Sequence, residues 1–252
     1  MKHFVKQKIK RLILRIISLN QYFRVIDWRN KEFKLGGNQI NPDLFFKLLS
    51  KNKAQVTFVE IGANDGIKND PVFAFIKKYN WAGILVEPLP DLFQNLKNAY
   101  VGTKNLIFEN VGISDQGGDM VFYFLPPKYN NPDWLQQIGT FDRDAIESNL
   151  RNFPNLISEI QTKRIRTITL GELLNRNSIS KMDILIIDAE GFEYKILIQL
   201  KELVIRPSYI LFEWGCMKED VQILLFNFLR VEKYKLYSSG GDILAVYRSE
   251  VQ

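Results

Sequence analysis

The sequence predicts an α/β fold in which a mostly parallel sheet carries helices on both faces and ends with an antiparallel strand. Short apolar runs, rich in β-branched residues, alternate along the chain with amphipathic segments, which is the pattern of parallel strands joined by helices. The last two runs are separated by residues 238–242, a serine- and glycine-rich stretch typical of a hairpin turn. The length of 252 residues suits a large domain of this class.

The first half of the predicted domain alternates regularly between the two kinds of element. The start of the second helix is marked by Asp70-Pro71, a capping acid before a proline of the first turn. In chain order the pattern predicts a helix over residues 41–51, a strand over 55–61, a helix over 71–79, a strand over 82–87, a helix over 91–100, and strands over 105–111 and 119–125.

Residues 126–160 break this alternation. The segment is poorly periodic and contains four prolines and several aromatic residues. A long irregular insertion in an α/β domain is more often a lid or a substrate wall than a plain connection, so we expect a lid-like insertion here, with ordinary structural packing as the alternative.

Periodicity returns after the insertion and continues through the rest of the domain. Each apolar run is again followed by a helical pattern, until the two final strands flank the hairpin turn. The predicted elements are a strand over residues 164–169, a helix over 170–176, a strand over 182–187, a helix over 191–200, a strand over 209–212, a helix over 218–230, and strands over 234–237 and 243–247.

Positive charge is concentrated in residues 1–40, which we interpret as an N-terminal arm and linker before a domain over residues 41–252. The arm holds ten Lys or Arg and two Asp or Glu, a net charge of +8, which leaves 24 basic and 26 acidic residues, a net of −2, for the domain. The nearly neutral domain gives no indication of a nucleic-acid footprint.

Residues 1–20 have the pattern of a basic amphipathic helix, and residues 21–40, with Gly36-Gly37, have that of a linker. The apolar run is too short to span a bilayer. The segment is therefore expected either to pack on the domain or to make a peripheral contact with a membrane surface.

Two scarce residue types exclude several kinds of chemistry. Cys216 is the single cysteine, which excludes intrachain disulfides and cysteine-rich zinc sites and fits a cytoplasmic protein. His3 is the single histidine and lies in the arm. A Ser-His-Asp triad and a histidine base in the core are therefore excluded, and acid–base chemistry falls to other groups such as carboxylates.

Acidic residues stand where the predicted strands end. Glu60, Glu87, Asp188 and Glu213 occupy these positions, and Asn110 follows the third strand. Ligands of open α/β sheets bind beyond the carboxyl ends of the strands, and unpaired buried acids are costly, so these residues are candidates for ligand contacts.

The turn of residues 62–66 follows the first strand, and Glu87 lies about twenty residues beyond it, where an acid accepts the hydroxyls of a ribose. The spacing thus indicates an adenosine compound. A pyrophosphate would be repelled by Glu60 and Asp65 beside the turn, whereas the ammonium and sulfonium of S-adenosylmethionine would be attracted. This charge preference favours S-adenosylmethionine over a dinucleotide.

Several ordered motifs resemble the FkbM-type S-adenosylmethionine-dependent methyltransferases, a class I methyltransferase group. The resemblance implies a Rossmann-like three-layer sandwich with a seven-stranded, mostly parallel sheet and one antiparallel strand, and O-methylation of sugar, polyketide or similar hydroxyls. The matching segments are residues 59–66, 70–71, 81–88, 167–174 and 183–193.

Roles follow for the residues of the candidate cofactor site. Glu60 is expected to face the methionine ammonium or a turn amide, Glu87 to accept the ribose hydroxyls, and Asp65 either to bind the cofactor or to cap the next helix. The resemblance implies that residues 110–112 hold the adenine ring. The full set of candidates is Glu60, Gly62, Ala63, Asn64, Asp65, Gly66, Glu87, Pro88, Asn110, Val111 and Gly112.

Asp188 and Glu190 follow the fourth strand of the core, where class I methyltransferases place residues that face the transferred methyl group. Because the domain has no histidine, a carboxylate is the natural base, and we expect Asp188 in that role, with Glu190 beside it and Glu213 as a third candidate. No metal is assigned, although a site for Mg²⁺ or Ca²⁺ is an alternative use of these oxygens.

The sequence therefore predicts an S-adenosylmethionine-dependent O-methyltransferase acting on a small-molecule acceptor, with a sugar or glycan hydroxyl favoured. A nicotinamide oxidoreductase and a non-catalytic binding or scaffold protein that keeps the fold are the alternatives. Glu193 and Tyr194 are expected to face solvent or the core, and Cys216 to fill a small buried space.

Overall fold

The computed structural model describes residues 40–126 and 137–248, together with Leu19, Gln21, Phe23 and Leu135. Most of the predicted arm and linker therefore lies outside the described residues. Leu19 and Phe23 are buried, and the Phe23 ring lies 5.0 Å from that of Tyr237 and 6.2 Å from that of Phe45. None of the described helices is long and apolar enough to cross a membrane.

The described elements alternate as the sequence predicts. The strands are β1 (Thr57–Ile61), β2 (Ala82–Val86), β3 (Leu106–Glu109), β4 (Gly112–Ile113), β5 (Gly118–Phe124), β6 (Gly139–Thr140), β7 (Gln161–Ile168), β8 (Ile184–Ile187), β9 (Tyr209–Glu213), β10 (Tyr234–Ser239) and β11 (Asp242–Tyr247). The helices are α1 (Pro42–Asn52), α2 (Phe73–Tyr79), α3 (Pro90–Ala99), α4 (Arg143–Asn149), α5 (Leu170–Arg176), α6 (Glu193–Leu197) and α7 (Glu219–Val231), with 3₁₀ turns at Pro154–Glu159 and Ile198–Glu202.

Seven strands form the central sheet in the spatial order β10-β11-β9-β8-β1-β2-β3. The pairings among β9, β8, β1, β2 and β3 are parallel, whereas β11 is antiparallel to both β9 and β10. Strand order reverses between β1 and β8, which is the switch point where ligands of such sheets bind. The predicted fold class is confirmed, including its single antiparallel strand.

Apolar side chains alternate between the two faces of this sheet, and each face is covered. One cluster includes Val59, Leu185 and Phe212 and packs against residues of α5, α6 and α7. The other includes Phe58 and Ile186 and packs against residues of α1, α2 and α3. Because both faces are buried, the strands read as nearly continuous apolar runs, and polar side chains collect where the strands end.

A second sheet was not predicted. Its strands follow the order β4-β7-β5-β6, and the largest pairing is antiparallel, between β5 and β7. The strands predicted over residues 119–125 and 164–169 belong to this sheet rather than to the central one. The strand predicted over 105–111 ends at Glu109, because the chain leaves the central sheet there and joins the second one at Gly112.

The segment over residues 126–160 is less irregular than predicted. It contains β6, α4 and a 3₁₀ turn, although residues 127–134 and 136 lie outside the described part. Asp142 caps α4, since its Oδ1 accepts hydrogen bonds from the N–H groups of Asp144 (2.9 Å) and Ala145 (3.4 Å). The nearby prolines hid this helix in the sequence pattern. A lid function for the segment stays a prediction.

Candidate active site

A cavity opens at the carboxyl ends of the central strands, close to the switch point. Most of the residues that the sequence singled out line it, whereas Asp65, Gly66 and Asn110 do not. The predicted residues in the lining are Glu60, Gly62, Ala63, Asn64, Glu87, Pro88, Val111, Gly112, Asp188, Glu190 and Glu213.

The turn after β1 is shaped by contacts within the chain. Gly62 has a φ of +85°, and a Cβ there would lie 1.8 Å from the carbonyl oxygen of Asp188. Gly66 has a φ of +71°, and its Cβ would lie 2.6 Å from the side chain of Leu96. Glycines in a candidate cofactor turn can serve to let a ligand approach the backbone. In the structure, the missing side chains also allow close packing within the protein. The turn after β8 approaches Gly62, and helix α3 approaches Gly66.

Asn64 and Asp65 hold this turn in different ways. Asn64 adopts the left-handed conformation (φ 49°) that its position predicted, and its N–H donates to Glu87 Oε2 (3.0 Å). Asp65 Oδ1 accepts from the N–H groups of Ile67 and Lys68, both at 2.9 Å. Asp65 therefore binds the backbone of the loop, does not line the cavity, and does not cap helix α2, which begins at Phe73 and whose first N–H groups are bound by Asp70.

Glu87 is buried at the end of β2 and binds two backbone groups. Oε1 accepts from the N–H of Leu89 (2.8 Å), and Oε2 accepts from that of Asn64. Burial raises the pKa of Glu87 to about 7, against the lowering effect of these two bonds. Each carboxylate oxygen has a second lone pair, so the group can still accept hydrogen bonds from a ligand.

After β3, the cavity is lined by backbone and aromatic side chains and not by the amide group of Asn110. Asn110 Nδ2 donates to the carbonyl oxygens of Glu87 (2.8 Å) and Pro88 (3.1 Å), so it braces the neighbouring loop. Gly112 faces Phe141, whose Cζ would lie 2.3 Å from a Cβ at that position. Phe141 also packs against Phe122, with ring centroids 4.9 Å apart. Phe122, Phe141 and the backbone of Gly112 thus form an apolar wall of the cavity.

Glu60 is the most unusual group at the site. Its side chain is 4% exposed, it lines the cavity, and its Oε2 has no hydrogen-bond partner. Burial, followed by the charges of Asp70 and Asp188, raises the pKa of Glu60 well above its ordinary value. A buried acid without a partner is costly, so Glu60 is the group of this cavity that would gain most from a ligand or water partner.

The turn after β8 carries the two candidate catalytic residues. Asp188 can be reached by solvent from the cavity, but the enclosing walls raise its pKa to about 6. Glu190 has a φ of +50°, and its Oε2 accepts from Asn149 Nδ2 (2.9 Å). Burial, then the charges of Asp188 and Glu213, raise the pKa of Glu190. The helix predicted over 191–200 begins only at Glu193, because positive φ at Glu190 and Gly191 interrupts the helical path.

Glu213, at the end of β9, closes this acidic side of the cavity. The single S–H group of Cys216 lies within hydrogen-bond distance of two acceptors, Glu213 Oε2 (3.3 Å) and Glu190 Oε2 (3.2 Å), so the three side chains form a cluster with ligand-type atoms within 4.8 Å of one another. Burial, then the charge of Asp188, raise the pKa of Glu213 to about 7. Burial and the two carboxylates raise the pKa of Cys216.

Comparison with protein families agrees with this geometry. A model described as the methyltransferase FkbM domain matches residues 60–245, which is more than half of the chain. The chain belongs to the FkbM methyltransferase family. The matched range includes both turns that carry the acidic residues of the cavity. No protein of curated function matches the chain by sequence.

Solved structures resemble this FkbM chain only distantly. Methyltransferase FkbM from Methylobacillus flagellatus KT is 13% identical, with a TM-score of 0.48, and the alignment covers 77% of this chain but only 44% of that one. The N-terminal domain of human METTL16 is 12% identical, with a TM-score of 0.45 and coverages of 82% and 68%. A precorrin-6y C5,15-methyltransferase from Geobacter metallireducens GS-15 is 10% identical, with a TM-score of 0.42 and coverages of 87% and 96%.

Two acids of the cavity wall and one acid behind it were not recognised from the sequence of this FkbM methyltransferase. Asp70 lines the cavity and accepts from Tyr100 Oη (3.0 Å), although the sequence marked it only as a helix cap. Asp242 lines the cavity because β11 pairs it with Glu213, a pairing that no local pattern reveals. Glu193 is fully buried behind the β8 turn. Its position next to the motif of residues 188–191 was the available signal.

Proposed function

We propose that this FkbM-family protein is an S-adenosylmethionine-dependent O-methyltransferase that acts on a hydroxyl of a small molecule, with a sugar or glycan as the favoured class. The observation that carries the proposal is the free, buried Oε2 of Glu60 in the wall of the cavity. The family supplies the reaction class, and the residues around the cavity support the cofactor and the type of acceptor.

The charge of the cavity supports a cationic cofactor. Every acid that lines it has a raised pKa with burial as the largest cause, which means that each would gain from a nearby positive charge. Glu60 is the natural partner of an ammonium group, because its free oxygen lies near Asp70 and Asp188. A nucleotide pyrophosphate at this wall would meet the same carboxylates and be repelled.

The remaining cofactor-binding residues fit an adenosine group. Glu87 keeps free lone pairs on a carboxyl group that the N–H bonds of Asn64 and Leu89 hold in place, which suits it to accept ribose hydroxyls. Phe141 and Gly112 offer an apolar surface suited to a flat base. Asn110 would act indirectly, by bracing the loop after β2.

Asp188 is the proposed base. When bound, S-adenosylmethionine supplies an electrophilic methyl group on a sulfonium. With a pKa of about 6, Asp188 is mostly ionised at neutral pH and can take the proton that the acceptor hydroxyl loses. Glu190 and Glu213, whose pKa values are also raised, can donate as well as accept hydrogen bonds to the other hydroxyls of a sugar.

The cofactor assignment is tested by thermal unfolding with S-adenosylmethionine, S-adenosylhomocysteine or NAD⁺. We expect the first two ligands to raise the melting temperature, since a ligand at a hundred times its Kd stabilises by about 2.7 kcal/mol. Glu60→Gln should weaken both effects. Stabilisation by NAD⁺ alone would favour an oxidoreductase, and no stabilisation by any of the three would favour a non-catalytic protein.

The acceptor is sought by mass spectrometry of glycans and small molecules from cells with and without the protein. A methyl group lost with the protein identifies the acceptor class. With that acceptor, Asp188→Asn should lower kcat by about a hundredfold or more while cofactor binding is retained. Undiminished turnover in this variant would remove Asp188 from the role of base.

A further inference from the structure

The turn between β8 and α6 is built around the carboxyl group of Glu193. This side chain is 0% exposed and does not line the cavity. Its Oε1 accepts from the N–H of Ala189 (2.9 Å), and its Oε2 accepts from the N–H of Gly191 (3.0 Å). Two backbone donors on either side of Glu190 are thus held by one buried carboxyl group.

The backbone conformation of the turn explains why such an acceptor is needed. Glu190 (φ 50°) and Gly191 (φ 99°) both have positive φ, and for a non-glycine residue this conformation is strained. In some turns, successive backbone N–H groups point inward and form a concave anion site. Here the Glu193 carboxyl group occupies that position. Its hydrogen bonds to the N–H groups of Ala189 and Gly191 stabilise the turn and offset the strain at Glu190.

Glu190 is the residue whose placement depends on this arrangement. Its Oε2 is fixed on the other side by Asn149 Nδ2 (2.9 Å) and by the Cys216 thiol (3.2 Å). A Cβ at Gly191 would lie 2.7 Å from Ala145 Cβ and 3.1 Å from the carbonyl oxygen of Cys216, so the turn is wedged against α4 and the segment after β9. Small movements of the turn would therefore displace the Glu190 carboxyl group.

We propose that Glu193 is a positioning residue, which holds the Glu190 carboxyl group against Cys216 and toward the acceptor side of the cavity. The catalytic meaning of this placement rests on the proposed function, but the placement itself does not. Glu193 touches neither the cavity nor Cys216 in any contact of the described residues, so its effect on the thiol passes through the turn and through the neighbouring charges of Glu190 and Glu213.

The single cysteine provides a probe that needs neither cofactor nor acceptor. The thiolate is the reactive form, and the Glu190 and Glu213 carboxylates disfavour it, so alkylation of wild-type Cys216 by iodoacetamide should be slow. Glu190→Gln prevents the negative charge that Glu190 acquires as pH rises, so it should lower the pH of half-maximal alkylation by about one unit and raise the rate below that midpoint by about tenfold.

If Glu193 positions Glu190, Glu193→Gln should raise the alkylation rate to a similar extent. The near-isosteric amide places an NH₂ group against backbone N–H donors and releases the turn. The double variant Glu190→Gln/Glu193→Gln should then react no faster than either single variant. The pH at which the rate is half-maximal should fall in all three, which mere loosening of the protein would not produce.

Glu172→Gln is the matched control. Glu172 belongs to the capping box of α5, where its Oε2 accepts from the N–H of Thr169 (2.8 Å), so the variant loses an anchored carboxylate elsewhere and should leave Cys216 unchanged. If Glu193→Gln does not fold, Glu193→Asp keeps the charge but is too short to bind both donors, and the same increase is expected. A rate and a pH midpoint equal to wild type in the folded variant would overturn the proposal.

Because S-adenosylmethionine takes no part in alkylation, the two proposals fail separately. If the Glu193 variants alkylate like wild type while S-adenosylmethionine still raises the melting temperature, only the positioning role is contradicted. If the Glu193 variants alkylate faster as expected but S-adenosylmethionine does not raise the melting temperature, only the proposed function is contradicted.

Discussion

At the scale of single residues, the turn after β1 looks like a ligand-binding motif, but contacts within the chain explain most of its residues. Gly62 admits the carbonyl of Asp188, and Gly66 admits Leu96 of α3. Asn64 and Asp65 bind backbone groups of the turn and of the next residues. The motif therefore specifies the shape of the cavity wall, and the ligand contacts fall to Glu60 and Glu87.

Gly62→Ala should be strongly destabilising. The new Cβ would collide with the Asp188 carbonyl oxygen and would force an alanine into a left-handed conformation, and these two effects together should cost about 3 kcal/mol or more. The measurement is urea unfolding of wild type and variant. Gly241→Ala is the control, because nothing lies within 4 Å of its Cβ. Equal loss of stability in both variants would show that the contact with Asp188 does not matter.

Residue types and their order predicted much of the site, because strand ends in a parallel sheet meet at one edge. Glu60, Glu87, Asp188 and Glu213 could be placed together for that reason. What could not be predicted was the partner of each group. Whether Asp65 binds a ligand or its own backbone depends on the path of the turn, which residue types alone do not determine. Asp242 joins the site only through its pairing with Glu213, more than twenty residues away.

At the scale of elements, the positions of helices and strands along the chain were predicted better than the pairing between strands. Strand and helix periodicity depends on local sequence, and α5 was predicted with its observed bounds, residues 170–176. The division into two sheets depends on which strands meet. The antiparallel pairing of β5 with β7 joins residues such as Asp119 and Arg166, and alternation within each strand contains no information about that choice.

Helix α4 links the second sheet to the candidate active site, so its N-cap offers a test at this scale. Asp142→Ala removes the acceptor of the Asp144 and Ala145 N–H groups and should cost about 1 kcal/mol. Chemical denaturation measures the effect. Asp144→Ala is the control, since its contact with Lys218 is an exposed ion pair, which contributes little. A control variant as unstable as Asp142→Ala would contradict the capping role.

At the scale of the whole molecule, the cavity acids should make the stability of the ligand-free protein fall as pH rises. Their folded-state pKa values are raised, so the folded state binds more protons than the unfolded one between about pH 4.5 and 7, and stability present at low pH is lost through this window. Glu87 alone, raised from 4.5 to about 7, contributes on the order of 3 kcal/mol at about 1.4 kcal/mol per pKa unit.

This dependence can be measured as the free energy of unfolding between pH 5 and pH 8 without ligand. Asp183, whose pKa is lowered beside Lys53, acts only at more acidic pH and does not interfere. Glu87→Gln should flatten the slope, because the amide does not titrate. A stability that rises from pH 5 to pH 8 would show that the cavity acids are not buried as described.

The second prediction at this scale concerns the segregation of charge. The arm carries a net charge of +8 and the remainder −2. Of the two roles expected for residues 1–20, packing on the domain or a peripheral membrane contact, the second predicts salt-dependent binding to an anionic lipid surface. Co-sedimentation with phosphatidylglycerol vesicles should exceed that with phosphatidylcholine vesicles and weaken at high salt. Lys6→Glu/Lys10→Glu should reduce it, whereas Lys77→Glu/Lys78→Glu, the same charge change on α2, should not. Equal binding to both kinds of vesicle would contradict this expectation.

The place of β11 has a consequence for synthesis of the chain on the ribosome. It is the last strand of the described residues, yet it lies inside the sheet, between β9 and β10. When β10 emerges, it has no native partner, and the edge of β9 stays open until β11 inserts between them. A nascent chain halted after residue 239 therefore exposes two unpaired strand edges, which are sites for chaperone binding or aggregation. Completion of the central sheet is a late event, set by the arrival of residues 242–247.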